Sequence, residues 1–425
     1  MSAAPSAVSR RNYLGSANRS GVVLAGNCAY ALAQFGVLVV LARQATPADV
    51  GDYALALAVT APVQIGVGLR LRMVRAIDPG PTPFRTYLRL AIILSALAAL
   101  LGTAIGILIA PSSRFVLVVV LVALAKSVEG LIDVCYGEYQ RQDRLTAIAA
   151  SQLIRAGLTI ALVALGAHLA GLIGALVAML LGWTAQLVTL DRSRIRHTVP
   201  PRTKESGHPR SVGDLIRRSW PLGMAAAVAS LTVSLPRFTV AGLLGSAALG
   251  VLAVLSYPTT AVSLFANSLG QANVRGMAAG VAAEDRRGVW STLLAMVAAT
   301  CVLGTLGAGL VVLAGRDGVT WLLGAAYADN FSALLLLLLA ATLAGFATNA
   351  YYLLVSTGRF GLQPVVVGAS LALSAPVIYV GTQHYGLIGT AATLTFMYGL
   401  QALLAGGAAA FLLRRPPRSE IHVGT

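Results

Sequence analysis

The sequence predicts an all-α polytopic membrane protein, in which twelve transmembrane helices form two six-helix pseudo-repeats around a central cavity. Hydrophobic residues make up 57% of the chain and charged residues only 11%, whereas soluble proteins carry about 25% charged residues. Apolar runs of about 20 residues, long enough to cross a bilayer as helices, fill most of the chain. The loops between these runs alternate between basic and nearly uncharged, which is typical of helical membrane proteins.

Twelve apolar runs can be placed, six on each side of one long polar segment. Their approximate bounds are 21–42, 50–69, 88–109, 115–136, 146–167, 169–190, 219–243, 246–270, 289–314, 331–356, 362–381 and 386–412. Of the 31 Lys and Arg residues, 25 fall in segments on the side that holds both termini, and 3 fall in loops on the other side. The positive-inside rule assigns the basic side to the cytoplasm. The sequence therefore predicts a multi-pass protein with both termini cytoplasmic.

The polar segment at 191–218 divides the chain. It carries eight Lys and Arg residues against three acidic residues, and the doublet Pro200-Pro201 disfavours regular helix within it. We interpret this segment as a basic cytoplasmic linker. It joins an N-terminal six-helix lobe at 1–190 to a C-terminal six-helix lobe with a short cytoplasmic tail at 219–425.

The two predicted lobes repeat weakly in sequence. G-L-I-G at 171–174 recurs at 386–389, a shift of 215 residues, and A-x-x-G-x-x-A at 48–54 recurs at 247–253, a shift of 199 residues. Both lobes have the same number of predicted spans and start on the same side, so the repeat is parallel. Transporters built from such repeats bind substrate between the two halves.

Charged residues interrupt the predicted spans at helical spacing. Lys126, Glu129 and Asp133 lie on one stripe of span four, Arg155 lies at a similar depth in span five, and Arg237 lies in span seven. A charge at membrane depth is costly and usually faces a cavity or a partner. Three cations against two acids predict a substrate-binding chamber with a net positive charge, which suits an anion such as a phosphate group.

A structural interpretation competes with the chamber. Arg155 could pair with Glu129 or Asp133 and lock spans four and five together, and this pairing is also compatible with a chamber. Five uncharged polar residues within the spans are secondary candidates for the chamber, although such residues commonly make interhelical hydrogen bonds instead. These residues are Asn27, Gln34, Gln64, Asn267 and Asn349.

Other classes of function lack their characteristic residues. Neither lysine of the chain follows a glycine, so no P-loop for ATP hydrolysis is present. No H-E-x-x-H motif or paired-cysteine metal site occurs, and the three cysteines lie in apolar runs. We therefore expect no catalytic residue, metal or cofactor, and we expect transport to be coupled to the membrane potential or an ion gradient. The basic residues follow the loops of a membrane protein, so we expect no nucleic-acid partner.

Four segments carry a family resemblance. They are L-A-R-Q-A-T-P-A-D-V-G-D-Y-A-L-A-L-A at 41–58, R-F-T-V-A-G-L-L-G-S-A-A-L-G-V-L-A at 237–253, L-L-G-A-A-Y-A-D-N-F at 322–331 and G-L-I-G-T-A-A at 386–392. They resemble the polysaccharide transporter family, the O-antigen and exopolysaccharide flippases of the multidrug/oligosaccharidyl-lipid/polysaccharide exporter superfamily. That family commonly has Asp-Arg where this chain has Pro236-Arg237, so a coupling acid of the family is missing here.

The resemblance implies a flippase that moves a polyprenyl-phosphate-linked oligosaccharide across the bacterial cytoplasmic membrane by alternating access. Its expected partners are the lipid-linked oligosaccharide, membrane lipids, and a polysaccharide polymerase and glycosyltransferases. Two alternatives stay open. A multidrug/cation antiporter of the same superfamily would favour an acidic chamber, and a membrane polysaccharide polymerase or ligase would resemble families that have a large outer loop.

Overall fold

The computed structural model describes residue 26, residue 29 and the ranges 31–78, 82–110, 112–191, 210–359 and 361–414. Within these residues every regular element is helical, which confirms the all-α prediction. Eight of the described helical stretches are long and apolar enough to cross a membrane. The chain is therefore a multi-pass α-helical membrane protein.

The described helices are, in chain order, α1 (Ala31–Gln44), α2 (Pro47–Val67), α3 (Leu71–Ile77), α4 (Phe84–Leu108), α5 (Ser113–Arg141), α6 (Leu145–Gln186), α7 (Val212–Leu255), α8 (Tyr257–Ala282), α9 (Arg286–Leu323), α10 (Ala325–Ala328), α11 (Phe331–Ser356) and α12 (Leu362–Arg414). A single π-helical stretch, Leu187–Asp191, continues α6 towards the linker.

Local sequence signals set where several helices begin. At the start of α2, the Thr46 hydroxyl accepts a hydrogen bond from the Asp49 backbone N–H, and the Asp49 carboxylate accepts one from the Thr46 backbone N–H, both at 3.2 Å. Pro47 follows at the first helical position, where its missing N–H costs nothing. Ser112 and Asp285 cap α5 and α9 by accepting from the backbone N–H three residues further on.

Four long helices are broken at glycines. The φ angles of Gly171, Gly245, Gly315 and Gly386 are 60°, 85°, 63° and 59°, so each glycine adopts a backbone conformation that strains other residues. These breaks divide α6, α7, α9 and α12. Each one falls within a few residues of a boundary that the hydropathy pattern assigns to the end or start of a span.

Large apolar side chains lie exposed along α4 and α9. Ile93 and Leu100 on α4 are 63% and 70% exposed, and Leu310 and Leu313 on α9 are 68% and 86% exposed. On a soluble protein such continuous apolar surface would be an aggregation site. In a chain of spanning helices it is the surface that faces lipid.

The chain forms two compact units, Met1–Val254 and Leu255–Thr425. In the first unit, α3, α4 and α5 share an apolar core that includes the fully buried Tyr87 and Leu215. In the second unit, α11 packs against α8, α9 and α12. The predicted six-helix lobes and the linker between them rest on the sequence repeat and remain a prediction.

Within the first unit, two glycines allow a close helix contact near the start of α2. A methyl group placed on Gly51 would overlap the backbone carbonyl of Ser246, and one placed on Gly250 would overlap the backbone carbonyl of Pro47. The contact is reciprocal, because the shift of 199 residues that relates Gly51 to Gly250 also relates Pro47 to Ser246. The end of α7 that follows Gly245 thus packs on α2 backbone to backbone.

Candidate functional site

Helices α5 and α6 bring Lys126, Glu129 and Arg155 together in the first unit. Lys126 Nζ donates to Glu129 Oε2 at 2.8 Å, and Arg155 Nη1 lies 3.9 Å from Glu129 Oε1. The second distance is too long for a hydrogen bond, so that contact is electrostatic. One carboxylate therefore faces two cations, and the three side chains together carry a net positive charge.

Arg155 is almost completely buried, with 3% of its side chain exposed. Its guanidinium lies 5.7 Å from the ring centroids of both Tyr136 and Trp183. Trp183 is held in place because its Nε1–H donates to Thr159 Oγ1 at 2.8 Å. Aromatic faces and a nearby carboxylate together offset part of the cost of burying this charge.

Asp133 lies one turn further along the α5 stripe and meets a different cation, Arg72 of α3. Arg72 Nη1 lies 3.3 Å from Asp133 Oδ1, and Arg72 Nε donates to Gln140 Oε1 at 3.3 Å. The Arg72 guanidinium also lies 5.4 Å from the centroid of the Tyr136 ring. Of the two acids considered as partners of Arg155, Glu129 is the one in contact with it.

Sequence reasoning missed Arg72, because the hydropathy pattern placed it in a loop and counted it among the cytoplasmic charges. In the structure α3 packs along α5, which carries Arg72 onto the stripe. One signal was available in the sequence. Arg72 and Arg75 are three residues apart, which places them on one face if the segment is helical.

Arg75 lies on the same face of α3 as Arg72, but its side chain is buried, whereas that of Arg72 is partly exposed. Its Nε donates to Glu138 Oε2 at 2.5 Å, its Nη1 donates to the Thr82 carbonyl at 2.8 Å, and its guanidinium lies 4.9 Å from the Tyr87 ring centroid. The side chains of Arg75 and Glu138 are 2% and 6% exposed. This pair holds α3 against α5, further along α5 than Asp133.

A second ion pair attaches the start of α7 to the same end of the first unit. Arg210 Nη1 lies 3.0 Å from Asp78 Oδ1, and the Tyr87 hydroxyl donates to Asp78 Oδ2 at 2.7 Å. The Arg210 backbone N–H donates to Thr82 Oγ1 at 3.1 Å. Arg210, which belongs to the predicted linker and precedes α7, is therefore held against the α3–α4 connection.

A buried hydrogen-bond chain supports Tyr136 from behind. Its hydroxyl shares a hydrogen bond of 2.9 Å with Ser151 Oγ, which also donates to Asp191 Oδ1 at 2.8 Å. Gln186 Nε2 donates to Ser151 Oγ at 2.8 Å and to Asp191 Oδ2 at 3.2 Å. These contacts hold the ring that both Arg72 and Arg155 approach.

Arg237 lies half-buried on α7, immediately after Pro236 within the helix. The hydroxyl of the buried Tyr53 on α2 is within electrostatic range of Arg237 and also of Lys126 and Glu129. Arg237 thus belongs to the same region of the first unit as the α5 stripe. All five charged residues of the predicted chamber lie in this unit.

The secondary polar candidates of the first unit lie on α1 and α2. Gln64 Nε2 donates to Ser127 Oγ at 2.7 Å and to the Ala123 carbonyl at 3.3 Å, which joins α2 to α5. Gln34 is half-buried on α1. Asn27 lies outside the described residues, so its predicted role stays a prediction.

Two further candidates belong to the second unit. Asn267 Oδ1 accepts a hydrogen bond from the Tyr352 hydroxyl at 3.2 Å, and the buried Asn349 donates from Nδ2 to Thr300 Oγ1 at 3.0 Å. Both contacts join neighbouring helices around α11. A role for either residue in binding substrate stays a prediction.

The cysteines and acids offer no metal centre among the described residues, since no three His, Cys, Asp or Glu side chains cluster there. Cys135 and Cys301 are free thiols.

Comparison with known proteins places the chain in a family. Residues 17–274, more than half of the chain, match the family described as polysaccharide biosynthesis protein. This chain belongs to that family. It is also similar to the capsular polysaccharide biosynthesis protein CapF of Staphylococcus aureus, with 24% identity over 373 residues that cover 87% of this chain and 93% of CapF.

Solved transporter structures share the fold. A MOP superfamily transporter from Pyrococcus furiosus matches with a TM-score of 0.67 and 13% identity, covering 93% of this chain and 94% of that chain. The inward-facing form of a multidrug resistance MATE family transporter matches with a TM-score of 0.68 and 14% identity, covering 93% of each chain. The chain thus belongs to the polysaccharide biosynthesis protein family, and it shares the fold of these MOP superfamily transporters.

Proposed function

We propose that this chain is a flippase that moves a polyprenyl-phosphate-linked oligosaccharide from the inner to the outer leaflet of a bacterial cytoplasmic membrane. The observation that carries the proposal is the sign of the charge cluster in the first unit, where four cations stand against three acids. The cations are Arg72, Lys126, Arg155 and Arg237, and the acids are Glu129, Asp133 and the buried Asp191 next to Ser151. Charged side chains among membrane-spanning helices are costly and usually face a cavity or a partner, so this excess of positive charge supports an anionic substrate.

Phosphate is the anion that best fits this cluster. Three of the four cations are arginines, whose planar guanidinium groups bind phosphate oxygens in a bidentate manner. A lipid-linked oligosaccharide carries its phosphate or pyrophosphate between the lipid and the sugar, so it offers these arginines an anionic group. Membership in the polysaccharide biosynthesis family and the similarity to CapF support a polysaccharide precursor as the lipid's cargo.

The proposed topology has twelve spans with both termini in the cytoplasm. The breaks at Gly171, Gly245 and Gly386 support it, since each would separate two spans, and the break at Gly315 would end another. The reciprocal contact of Gly51 with Ser246 supports two parallel pseudo-repeats. Alternating access by these repeats, driven by the membrane potential or an ion gradient, completes the proposal. A polysaccharide polymerase and glycosyltransferases are the expected functional partners.

A multidrug/cation antiporter is the alternative that shares the fold. A site for cationic drugs should carry excess acid, whereas the cluster of this chain carries excess base. The charge of the cluster therefore favours the flippase over the antiporter.

Arg237 offers the simplest test, in a strain that lacks the chromosomal gene. We expect Arg237→Ala to abolish surface polysaccharide at normal protein level and Arg237→Lys to retain part of it, because lysine keeps the charge without the bidentate geometry. Restoration of dye resistance by the wild-type chain, with no effect on surface polysaccharide, would instead establish the antiporter.

A further inference from the structure

Two arginines on one face of α3 have the same kind of partner but very different surroundings. The Arg75–Glu138 pair is buried, and its Nε–Oε2 distance is 2.5 Å. The Arg72–Asp133 pair is accessible, since its side chains are 29% and 45% exposed, and its closest N–O distance is 3.3 Å. The first pair is short and buried and joins two helices, whereas the second is longer, partly exposed and made through one carboxylate oxygen.

An accessible ion pair of this kind contributes little to stability and exchanges readily for another partner. A phosphate group would be a stronger partner than Asp133, because it offers several charged oxygens to the planar guanidinium. Gln140, which accepts from Arg72 Nε at 3.3 Å, keeps the guanidinium oriented while its other face is exchanged.

Arg72 also lies close to the buried cation of the stripe. The guanidinium carbons of Arg72 and Arg155 are 5.4 Å and 5.7 Å from the same Tyr136 ring centroid, so they are no more than about 11 Å apart. The ring is fixed by the Ser151 hydrogen bond of 2.9 Å. The Tyr136 ring is therefore close to both an accessible cation and a buried one.

We infer that Arg72 forms a loading site for the phosphate or pyrophosphate group of a lipid-linked substrate, with Asp133 as the counterion that the phosphate displaces. Arg155, whose guanidinium is near the same Tyr136 ring, then offers the phosphate a second cation. This inference rests on the proposed flippase function and gives the accessible members of the charge cluster, Arg72 and Asp133, a role of their own. It assigns opposite roles to the two members of one ion pair.

Because the two residues have opposite roles, substituting them should change phosphate affinity in opposite directions. Arg72→Gln removes the binding group and Asp133→Asn removes its competitor, so the first change should weaken phosphate binding and the second should strengthen it. A purely structural ion pair would behave differently, since breaking it from either side would move binding in the same direction.

The experiment uses the full-length protein in lipid nanodiscs and titrates farnesyl pyrophosphate, inorganic pyrophosphate and uncharged farnesol. For farnesyl pyrophosphate we expect Arg72→Gln to raise the Kd about tenfold and Asp133→Asn to lower it about threefold. Arg72→Lys should fall between Arg72→Gln and wild type. In the Arg72→Gln background the gain from Asp133→Asn should disappear, because the freed partner is absent.

Asp143→Asn is the matched control for loss of one negative charge. Asp143 is exposed just beyond α5 with a φ of 55°, a conformation that asparagine tolerates. It should leave the Kd unchanged. If Asp143→Asn lowered the Kd as much as Asp133→Asn, the gain would come from net charge alone, and the proposal that phosphate displaces Asp133 would be overturned.

The outcomes separate the inference from the proposed function. If wild type binds neither pyrophosphate, both are overturned. If wild type binds farnesyl pyrophosphate but Arg72→Gln binds it equally well, or Asp133→Asn binds it more weakly, only the loading site is overturned. Equal affinity for inorganic pyrophosphate would overturn the lipid-linked source of the ligand. Should Arg72→Gln fail to fold, Arg72→Lys and Asp133→Asn still show whether the two changes shift the Kd in opposite directions.

Discussion

Arg155 approaches Glu129 only to 3.9 Å, while the same carboxylate receives Lys126 Nζ at 2.8 Å. Glu129 is therefore already held in a direct ion pair with Lys126, and Arg155 is a second, more distant cation beside it. This arrangement separates the two interpretations of Arg155. A residue needed only to neutralise Glu129 would be redundant here, whereas a residue that binds an anion would not.

Arg155→Gln should therefore abolish surface polysaccharide while protein in the membrane stays close to the wild-type level. The physical reason is that Lys126 continues to neutralise Glu129, so no buried acid is left without a partner. Protein level by immunoblot and surface polysaccharide by antibody binding, measured in the same cells, check this expectation.

The double variant Arg155→Gln with Glu129→Gln is the control for a structural role. Arg155 and Glu129 are then both neutral, so a loss of folding caused by an unmatched Glu129 carboxylate should disappear. Because this variant also removes the ion pair of Lys126 with Glu129, Glu129→Gln alone measures that separate effect. We expect export to stay lost. Full recovery of export in the double variant would make Arg155 structural and remove it from the site.

The buried pair of Arg75 and Glu138 should behave as a stability element. Removing one partner leaves the other charge buried, which costs about 3–5 kcal/mol in soluble proteins. Arg75→Gln should thus lower the midpoint of thermal unfolding in detergent by several degrees. Arg75→Met combined with Glu138→Leu should recover much of the loss, because no charge then remains buried.

Arg114→Gln is the matched control for that measurement. Its ion pair with Asp49 is short, at 2.6 Å, but the Arg114 side chain is 57% exposed. The Asp49 side chain is 11% exposed but also accepts hydrogen bonds from Thr46, so loss of this half-exposed pair should cost less than loss of the fully buried one. A drop in the midpoint as large as that of Arg75→Gln would contradict the assignment of stability to burial.

Gly51→Ala should destabilise the protein, because the added methyl group meets the Ser246 backbone, which cannot rotate away. Overpacking of this kind costs about 1–3 kcal/mol. Gly242 on α7 has no atom within 4 Å of an added methyl group, so Gly242→Ala should instead stabilise its helix by about 1 kcal/mol. The midpoint of thermal unfolding should fall for Gly51→Ala and rise for Gly242→Ala. An equal rise in both would show that helix propensity alone sets the effect of the substitution.

The topology can be measured directly by cysteine labelling in a background without native cysteines. Ser206→Cys should be protected from an impermeant maleimide added to intact cells, and Thr320→Cys should be labelled, because the charge bias of 25 to 3 places the linker inside. The reverse labelling pattern would refute twelve spans with cytoplasmic termini. Labelling of both after the cells are opened serves as the reactivity control.

Much of the site followed from helical periodicity. Steps of three and four residues placed Lys126, Glu129 and Asp133 on one face of α5, and burial of that face against α6 brings Arg155 to Glu129. Arg72 could not be assigned in this way, because its position depends on α3 folding back along α5. That packing is a tertiary property, and a short helix between two spans gives no hydropathy signal.

The helix breaks show the same limit. Hydropathy separates the spans on either side of Gly171 and Gly386. In the structure each pair of helical segments is joined directly at a positive-φ glycine, without a loop between them. A connection of one residue is a matter of backbone geometry, which composition does not report. Apolar spans were therefore easier to predict from the sequence than the elements that join them.

Translocation itself can be measured with the purified chain in liposomes. The host's lipid-linked oligosaccharide is extracted, labelled on its sugar with a dithionite-sensitive fluorophore, and incorporated in both leaflets under an imposed membrane potential. We expect wild-type protein to expose the inner-leaflet pool to external dithionite and Arg155→Gln to leave that pool protected, as in protein-free liposomes. Protection of the inner pool by wild-type liposomes, with the protein folded and the potential maintained, would contradict the assignment of this chain as a flippase.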